Sequence, residues 1–434
     1  MSVIGSLSGS EILDSRGRPT IAACCRLKSG ATGVASVPSG ASRGDAEAKE
    51  LRDHDPNRYS GWGCLKGVES IRSTIAPQLE TQRFLDQASL DQRLLELDGT
   101  ADKSRLGANA ILAVSLAFCR AQAVERDVPL YEHLRELDHG GLPADDTGGR
   151  LPRMTINLFS GGKHAGEQVA IQDLLVVPVS AETIDQGLAQ VHAVYQAAAE
   201  LIWKQYGMRV LRADEGGLAP PFPSTEAMFV DAMTAIELAG LRPGVDVALA
   251  VDVAASHFYF DGTYHLDGTA LDGQQMLDRL ASWCRQFPIV SLEDGLGEDD
   301  WGHWTQLRQR LDPKIIVLGD DHLCTNPERI ERAVQEKSAS GLLLKVNQIG
   351  TLSEASRACR LARDAEWQVT VSARSGETED HWLADLSVAW GDQIKVGSIT
   401  QSERLAKYNR LLEIERETGW PVNPWPRHFP VPSG

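Results

Sequence analysis

From about residue 150 onward the chain alternates between two hydrophobic periods. Runs of apolar, largely β-branched residues occur at MTINL (154–158), LLVVPV (174–179), VALAVDV (247–253), PIVSLED (288–294), IIVLGDD (315–321), GLLLKVN (341–347), QVTVSA (368–373) and QIKVGS (393–398). Stretches with apolar residues three and four apart follow many of them, as at 327–337, 353–365, 379–389 and 403–416. A run that is apolar at consecutive positions has no solvent face, so these strands are expected to be covered on both sides and parallel. Eight of them over about 280 residues predict a closed α/β barrel. A doubly wound open sheet accommodates the same pattern.

The first part of the chain changes character more often. TIAACCRL (20–27) predicts a strand, PSGASRG (38–44) a loop of small residues, and 66–135 a mostly helical region whose clearest helix is GANAILAVSLAFCRAQAVERD (107–127). DHGGLPADDTGGR (138–150) has the Gly and Asp content of a linker or surface loop. The tail GWPVNPWPRHFPVPSG (419–434) carries five prolines, which exclude helix and central strand. Trp420 and Trp425 are its means of attachment, if it is attached.

With 434 residues, 42% hydrophobic and 24% charged, the composition is that of a globular chain of more than one domain. The formal charge of -17 argues against a nucleic-acid surface. It also means that an anionic substrate would need local cations or metal to overturn the field. Seven scattered cysteines without a CxxC pair suggest reduced thiols in a cytosol. The opening MSVIGSLSGSEILDSRG has neither a basic leader nor a long apolar core, and AILAVSLAFC (110–119) is too short to span a bilayer, so neither secretion nor membrane attachment is expected.

The candidate chemistry lies where the late strands end. They finish in Asp252, in Glu293 and Asp294, in Asp320 and Asp321, and then in Lys345, Arg374 and Lys395. In a barrel these ends converge on one mouth. Carboxylates from three successive strands suit a hard cation such as Mg²⁺. Three cations on the following strands suit an anionic substrate. A single Asp after a strand is more often a helix cap than a ligand, so it is the combination that carries weight. Lys345 follows three leucines, where a charge is costly unless it is paired or used. RADEGGLAP (212–220) presents Asp214 and Glu215 before a double glycine, and SGGKHAGEQVAIQD (160–173) is a Gly-rich loop carrying His164.

Across nearly the whole chain the sequence resembles enolase. The resemblance rests on EILDSRGRPT (11–20), VPSGASRG (37–44), GANAILAVSLA (107–117), DEGGLAP (214–220), DVAASHFY (252–259), SLEDGLGEDDW (291–301), GDDHLCTN (319–326), LLLKVNQIGTL (342–352), SARSGETED (372–380) and SERLAKYNRLLEIE (402–415), all in order. It implies an α/β fold: a small α+β N-terminal, lid-bearing domain (1–137), then an eight-stranded enolase-type TIM barrel (150–434) with one antiparallel strand pair. The implied reaction is the Mg²⁺-dependent interconversion of 2-phosphoglycerate and phosphoenolpyruvate in cytoplasmic glycolysis.

By resemblance, Asp252, Glu293 and Asp320 hold one Mg²⁺, and Ser42 helps hold a second. Lys345 is the base and Glu215 the acid, with His164 and Asp173 also in the catalytic set. Lys395 steadies the substrate carboxylate and Arg374 with Ser375 grips the phosphate, while Gln172, Ala373 and Arg43 complete the substrate contacts. The implied partners are a small phosphorylated three-carbon acid and further copies of the chain, as a homodimer or larger, with Arg16 near that interface.

The pattern departs from the family at Ala373, where it carries His, at Asp173, where it carries Glu, and at Arg43, where it carries Thr. Smaller changes are Gly295 for Pro, His257 for Glu, Leu218 for an aromatic residue and Ser160 for Asn. Two further readings therefore stand beside plain enolase. One is a paralogue dehydrating a 2-phosphoglycerate derivative with an extra anionic group, as in phosphonate-type secondary metabolism. The other is a non-catalytic binding or structural protein, against which the retained Glu215, Lys345, Lys395 and metal acids speak.

Overall fold

The computed structural model describes residues 1–41, 44–137, 149–207 and 211–425. The expectations for Ser42, Arg43, the loop 138–148 and the tail beyond 425 lie outside the described residues.

The N-terminal part is a four-stranded antiparallel sheet in the order Thr32–Ser36, Pro19–Leu27, Ser2–Leu13, Arg83–Phe84. Its partner is the helix Ala108–Glu125, buried on nearly every face. The approach is close because residue 33 is glycine: a Cβ there would lie 2.1 Å from the Ala117 carbonyl oxygen. The strand Ser2–Leu13 was not foreseen. Its serines and glycines hide the alternation, which survives in buried Ile4 and Leu7 with a register shift between them.

All eight late strands are present, and they close into a barrel, which removes the open-sheet alternative. Their order around it is Ile289–Glu293, Ile316–Gly319, Gly341–Leu344, Gln368–Ser372, Gln393–Lys395, Arg153–Ser160, Asp173–Val177 and Ala248–Asp252. Seven run parallel. Asp173–Val177 is antiparallel to both neighbours, so the all-parallel expectation fails there. The reason is local: the stretch 161–172 holds only a single 3-10 turn and no crossover helix, and a parallel return normally needs one. The reversed strand makes two antiparallel pairings rather than the single pair implied by the resemblance.

The far end of the barrel is plugged. Trp425 is buried among Leu175, Val177, Ala248, Val290 and Ile316, and Leu151 bridges to Val422, while Trp420 packs edge-on against Tyr131 at 5.6 Å between ring centroids. The part of the tail that is described is therefore docked, at the ends where the parallel strands begin. The opposite end is left to the charged residues.

Candidate active site

Asp252, Glu293 and Lys395 are the last residues of their strands, and Asp320, Lys345, Ala373 and Arg374 follow theirs within two positions. Convergence of parallel strands puts them all around one mouth. Asp252 pairs with Glu293 in the ladder, which sets two carboxylates side by side. Lys395 answers them: its Nζ donates to Asp252 Oδ2 at 2.9 Å and to both Glu293 oxygens at 2.7 Å. Lys345 Nζ forms an ion pair with Asp320 Oδ2, whose other oxygen accepts from Gln348 Nε2 at 2.8 Å.

Glu215 projects into the same space from the turn before Gly216, whose φ of +86° is one that a side chain disfavours. Its Oε2 accepts from Asn157 Nδ2 at 3.1 Å. Asp173, at the start of the reversed strand, accepts from Ser160 Oγ at 2.6 Å, and Gln172 Nε2 donates to Asp252 Oδ2 at 3.0 Å. Gln172, Asp173, Glu215, Asp252, Lys345, Ala373, Arg374, Ser375 and Lys395 line one pocket.

Arg374 and Ser375 belong to the same lining. The Arg374 guanidinium forks onto Glu47, Nη1 to Oε2 at 3.0 Å and Nη2 to Oε1 at 3.1 Å, and Nη1 also reaches Asn347 Oδ1 at 3.1 Å. Ser375 Oγ accepts from Arg16 Nη1 and from the Ala41 amide, both at 3.0 Å. The Arg16 guanidinium is itself held within the chain by Asp14 and the Ser39 carbonyl.

The electrostatics follow from crowding. Asp173, Glu215, Asp252, Glu293, Asp294, Asp320 and Asp321 are all buried. Burial first, and Asp252 second, hold the Glu293 carboxyl well above the usual carboxylate range. Burial, followed by Asp320, pushes Asp294 up to about 8. Burial pulls the two lysines down, but their carboxylate neighbours outweigh it: Asp320 raises Lys345, and Asp252 and Glu293 raise Lys395. The chain's own charges thus favour the ammonium form of Lys345, because Asp320 lies against it.

So many buried acids against two lysines fit a hard divalent cation, the charge such a donor set lacks. One group of carboxylate oxygens, from Asp294, Asp320 and Asp321, lies within a mutual 4.8 Å. Asp294, however, already accepts the Asp320 and Asp321 amides at 2.9 and 2.7 Å, one on each oxygen, so it braces the loop. Asp252 accepts from the Gln172 and Lys395 side chains and Glu293 from Lys395, donors that a cation can replace.

The structure therefore brings together most of the residues singled out from sequence. Of the 3-10 turn Gly162–His164 only the backbone is described at His164, and Ser42 and Arg43 are not described. Four polar partners were missed: Glu47, Asn157, Asn347 and Gln348. The last two lie two and three positions after Lys345 in KVNQ, which was a usable signal; Glu47 and Asn157 gave none.

Comparison with known proteins finds the same organisation. The family model for the enolase N-terminal domain matches residues 4–134, and that for the enolase C-terminal TIM barrel domain matches 149–423. A relative named enolase, from Desulfotalea psychrophila (strain LSv54 / DSM 12343), is 45% identical over 423 residues, covering 96% of this chain and 98% of its own.

Proposed function

The chain belongs to the enolase family, and from that premise we propose that it removes water from 2-phosphoglycerate to give phosphoenolpyruvate, using Mg²⁺. The observation that carries the reading is the meeting of Lys345, Lys395, Glu215 and Asp252 in one pocket with Arg374 and Ser375. A base, an acid, a cation site and a phosphate grip are what this dehydration requires.

Lys345 Nζ takes the proton from the carbon beside the substrate carboxylate. The electron pair left behind forms the carbon–carbon double bond as the bond to the terminal hydroxyl breaks. Glu215 supplies a proton to the departing hydroxyl, which leaves as water. Arg374 and Ser375 hold the phosphate, and Lys395 faces the carboxylate on which negative charge accumulates. Asp252, Glu293 and Asp320 are the residues that would hold the first Mg²⁺, with Ser42 at a second. Bound there, Mg²⁺ stabilises the doubly charged carboxylate. Ligation of a cation by Asp320 would weaken the hold by which that carboxylate favours the protonated form of Lys345.

Glycolysis, a cytoplasmic location and a homodimeric or larger assembly belong to the same reading. The direct test is the rise in ultraviolet absorbance from phosphoenolpyruvate when protein is added to 2-phosphoglycerate with Mg²⁺. A rise supports the proposal; its absence at saturating substrate and metal sinks it.

One observation favours a modified substrate as a second reading. Ala373 presents only a methyl group to the pocket, and the Asp173 carboxylate is turned to Ser160. Turnover of a derivative carrying an extra anionic group, with none of 2-phosphoglycerate, is the result that selects it.

A further inference from the structure

We propose that Glu47 is a positioning residue for Arg374, through which the N-terminal part of the chain presets the grip on the substrate's phosphate. The inference rests on Arg374 being that grip. Glu47 lies far from the barrel in sequence, on the segment between the N-terminal sheet and its helices. Its carboxylate nevertheless takes one whole edge of the guanidinium, and the side chains of the pair are only 4% and 6% exposed.

The segment is itself tied down. Glu47 Oε1 accepts from the Gly44 amide at 3.2 Å, and the Ala48 amide donates to the Gln348 carbonyl at 2.8 Å. Gln348 in turn donates to Asp320. Asn347 accepts from the same Nη1 that Glu47 holds, so the guanidinium plane is fixed by two acceptors of different origin. An arginine fork recognises phosphate only in the right plane, so fixing that plane is a contribution to binding.

Two accounts of Glu47 predict opposite signs. As one more negative charge near a phosphate site, its removal tightens anion binding. As the residue that orients Arg374, its removal weakens it. Glu47→Gln keeps the shape and deletes the charge. The proposal predicts a KM for 2-phosphoglycerate raised by roughly tenfold or more, with kcat changed much less. Inorganic phosphate, titrated calorimetrically, weakens in parallel, and Glu47→Asp lies between.

In a double-mutant cycle, Glu47→Gln adds nothing to the loss already caused by Arg374→Gln, which a purely structural defect does not reproduce. An unchanged or lowered KM in Glu47→Gln overturns the proposal and leaves the phosphate reading standing, as do additive losses. An unchanged KM in Arg374→Gln overturns the phosphate reading itself, and this inference with it. Melting curves of the single variants separate misfolding from both.

Discussion

The Lys395 ammonium lies 2.7 Å from both carboxylate oxygens of Glu293. The same nitrogen reaches Asp252, so one lysine bridges two neighbouring strand ends. Breaking a buried pair by removing one partner costs about 3–5 kcal/mol, because the other charge stays buried. Lys395→Met in metal-free buffer is accordingly expected to lose stability of that order by denaturant titration. Millimolar Mg²⁺ is expected to restore much of it, since a cation then supplies the missing charge. A loss that Mg²⁺ does not touch counts against a cation at this mouth.

Gly376 is needed for what its absent side chain leaves room for. A Cβ there would lie 2.2 Å from Asp14 Oδ2 and 2.3 Å from Arg16 Nη2, the pair that holds Ser375. Gly376 also exchanges two backbone hydrogen bonds with Ser39, so it has little freedom to retreat. Gly376→Ala is expected to cost about 1–3 kcal/mol of stability, as overpacking does. Displacing Ser375 is expected to raise KM for 2-phosphoglycerate more than it lowers kcat. Steady-state kinetics beside a denaturation curve check both.

Asp173 and Ala373 both line the pocket. Compared with Glu, Asp at 173 draws its carboxylate back by roughly an ångström, and a misplacement of that size is worth on the order of a hundredfold in rate. If 2-phosphoglycerate is the substrate, Asp173→Glu combined with Ala373→His is expected to raise kcat/KM for it. A fall in kcat/KM, with the unaltered protein active, shows the present pair to be adapted as it stands.

His133 connects pH to stability. It is buried, its Nδ1 lies 3.0 Å from Arg126 Nη1, and burial, then Arg126, depress it to about 4. The unfolded state, with an ordinary imidazole near 6.5, binds the proton more readily. Its contribution to stability is therefore present above that value and lost as pH falls through the window down to about 4. Denaturant midpoints from pH 7 to 4.5 are expected to fall less steeply in His133→Gln than in the parent. Equal slopes contradict the assignment.

How much of this was legible in the sequence depended on whether burial wrote itself into composition. The barrel strands have no solvent face, so GLLL and VTVS announce themselves, and the charged residues that end them marked the mouth. The strand Ser2–Leu13 has one face in water and is rich in Ser and Gly, so its pattern was lost. The reversal of Asp173–Val177 depended on a connection without a crossover helix, a topological fact that hydrophobicity does not encode. Lys345, Glu215 and Arg374 stood out by position, whereas Glu47 sits 327 residues from its partner in a stretch indistinguishable from a solvated acidic loop.

The central claim is that Lys345 takes the proton and Glu215 acts at the later bond. Exchange of the proton beside the carboxylate of 2-phosphoglycerate, followed by magnetic resonance in deuterated buffer with Mg²⁺, separates the two steps. Glu215→Gln is predicted to keep exchanging that proton while forming almost no phosphoenolpyruvate, and Lys345→Ala to do neither. Exchange in Lys345→Ala at the parent's rate would contradict the account.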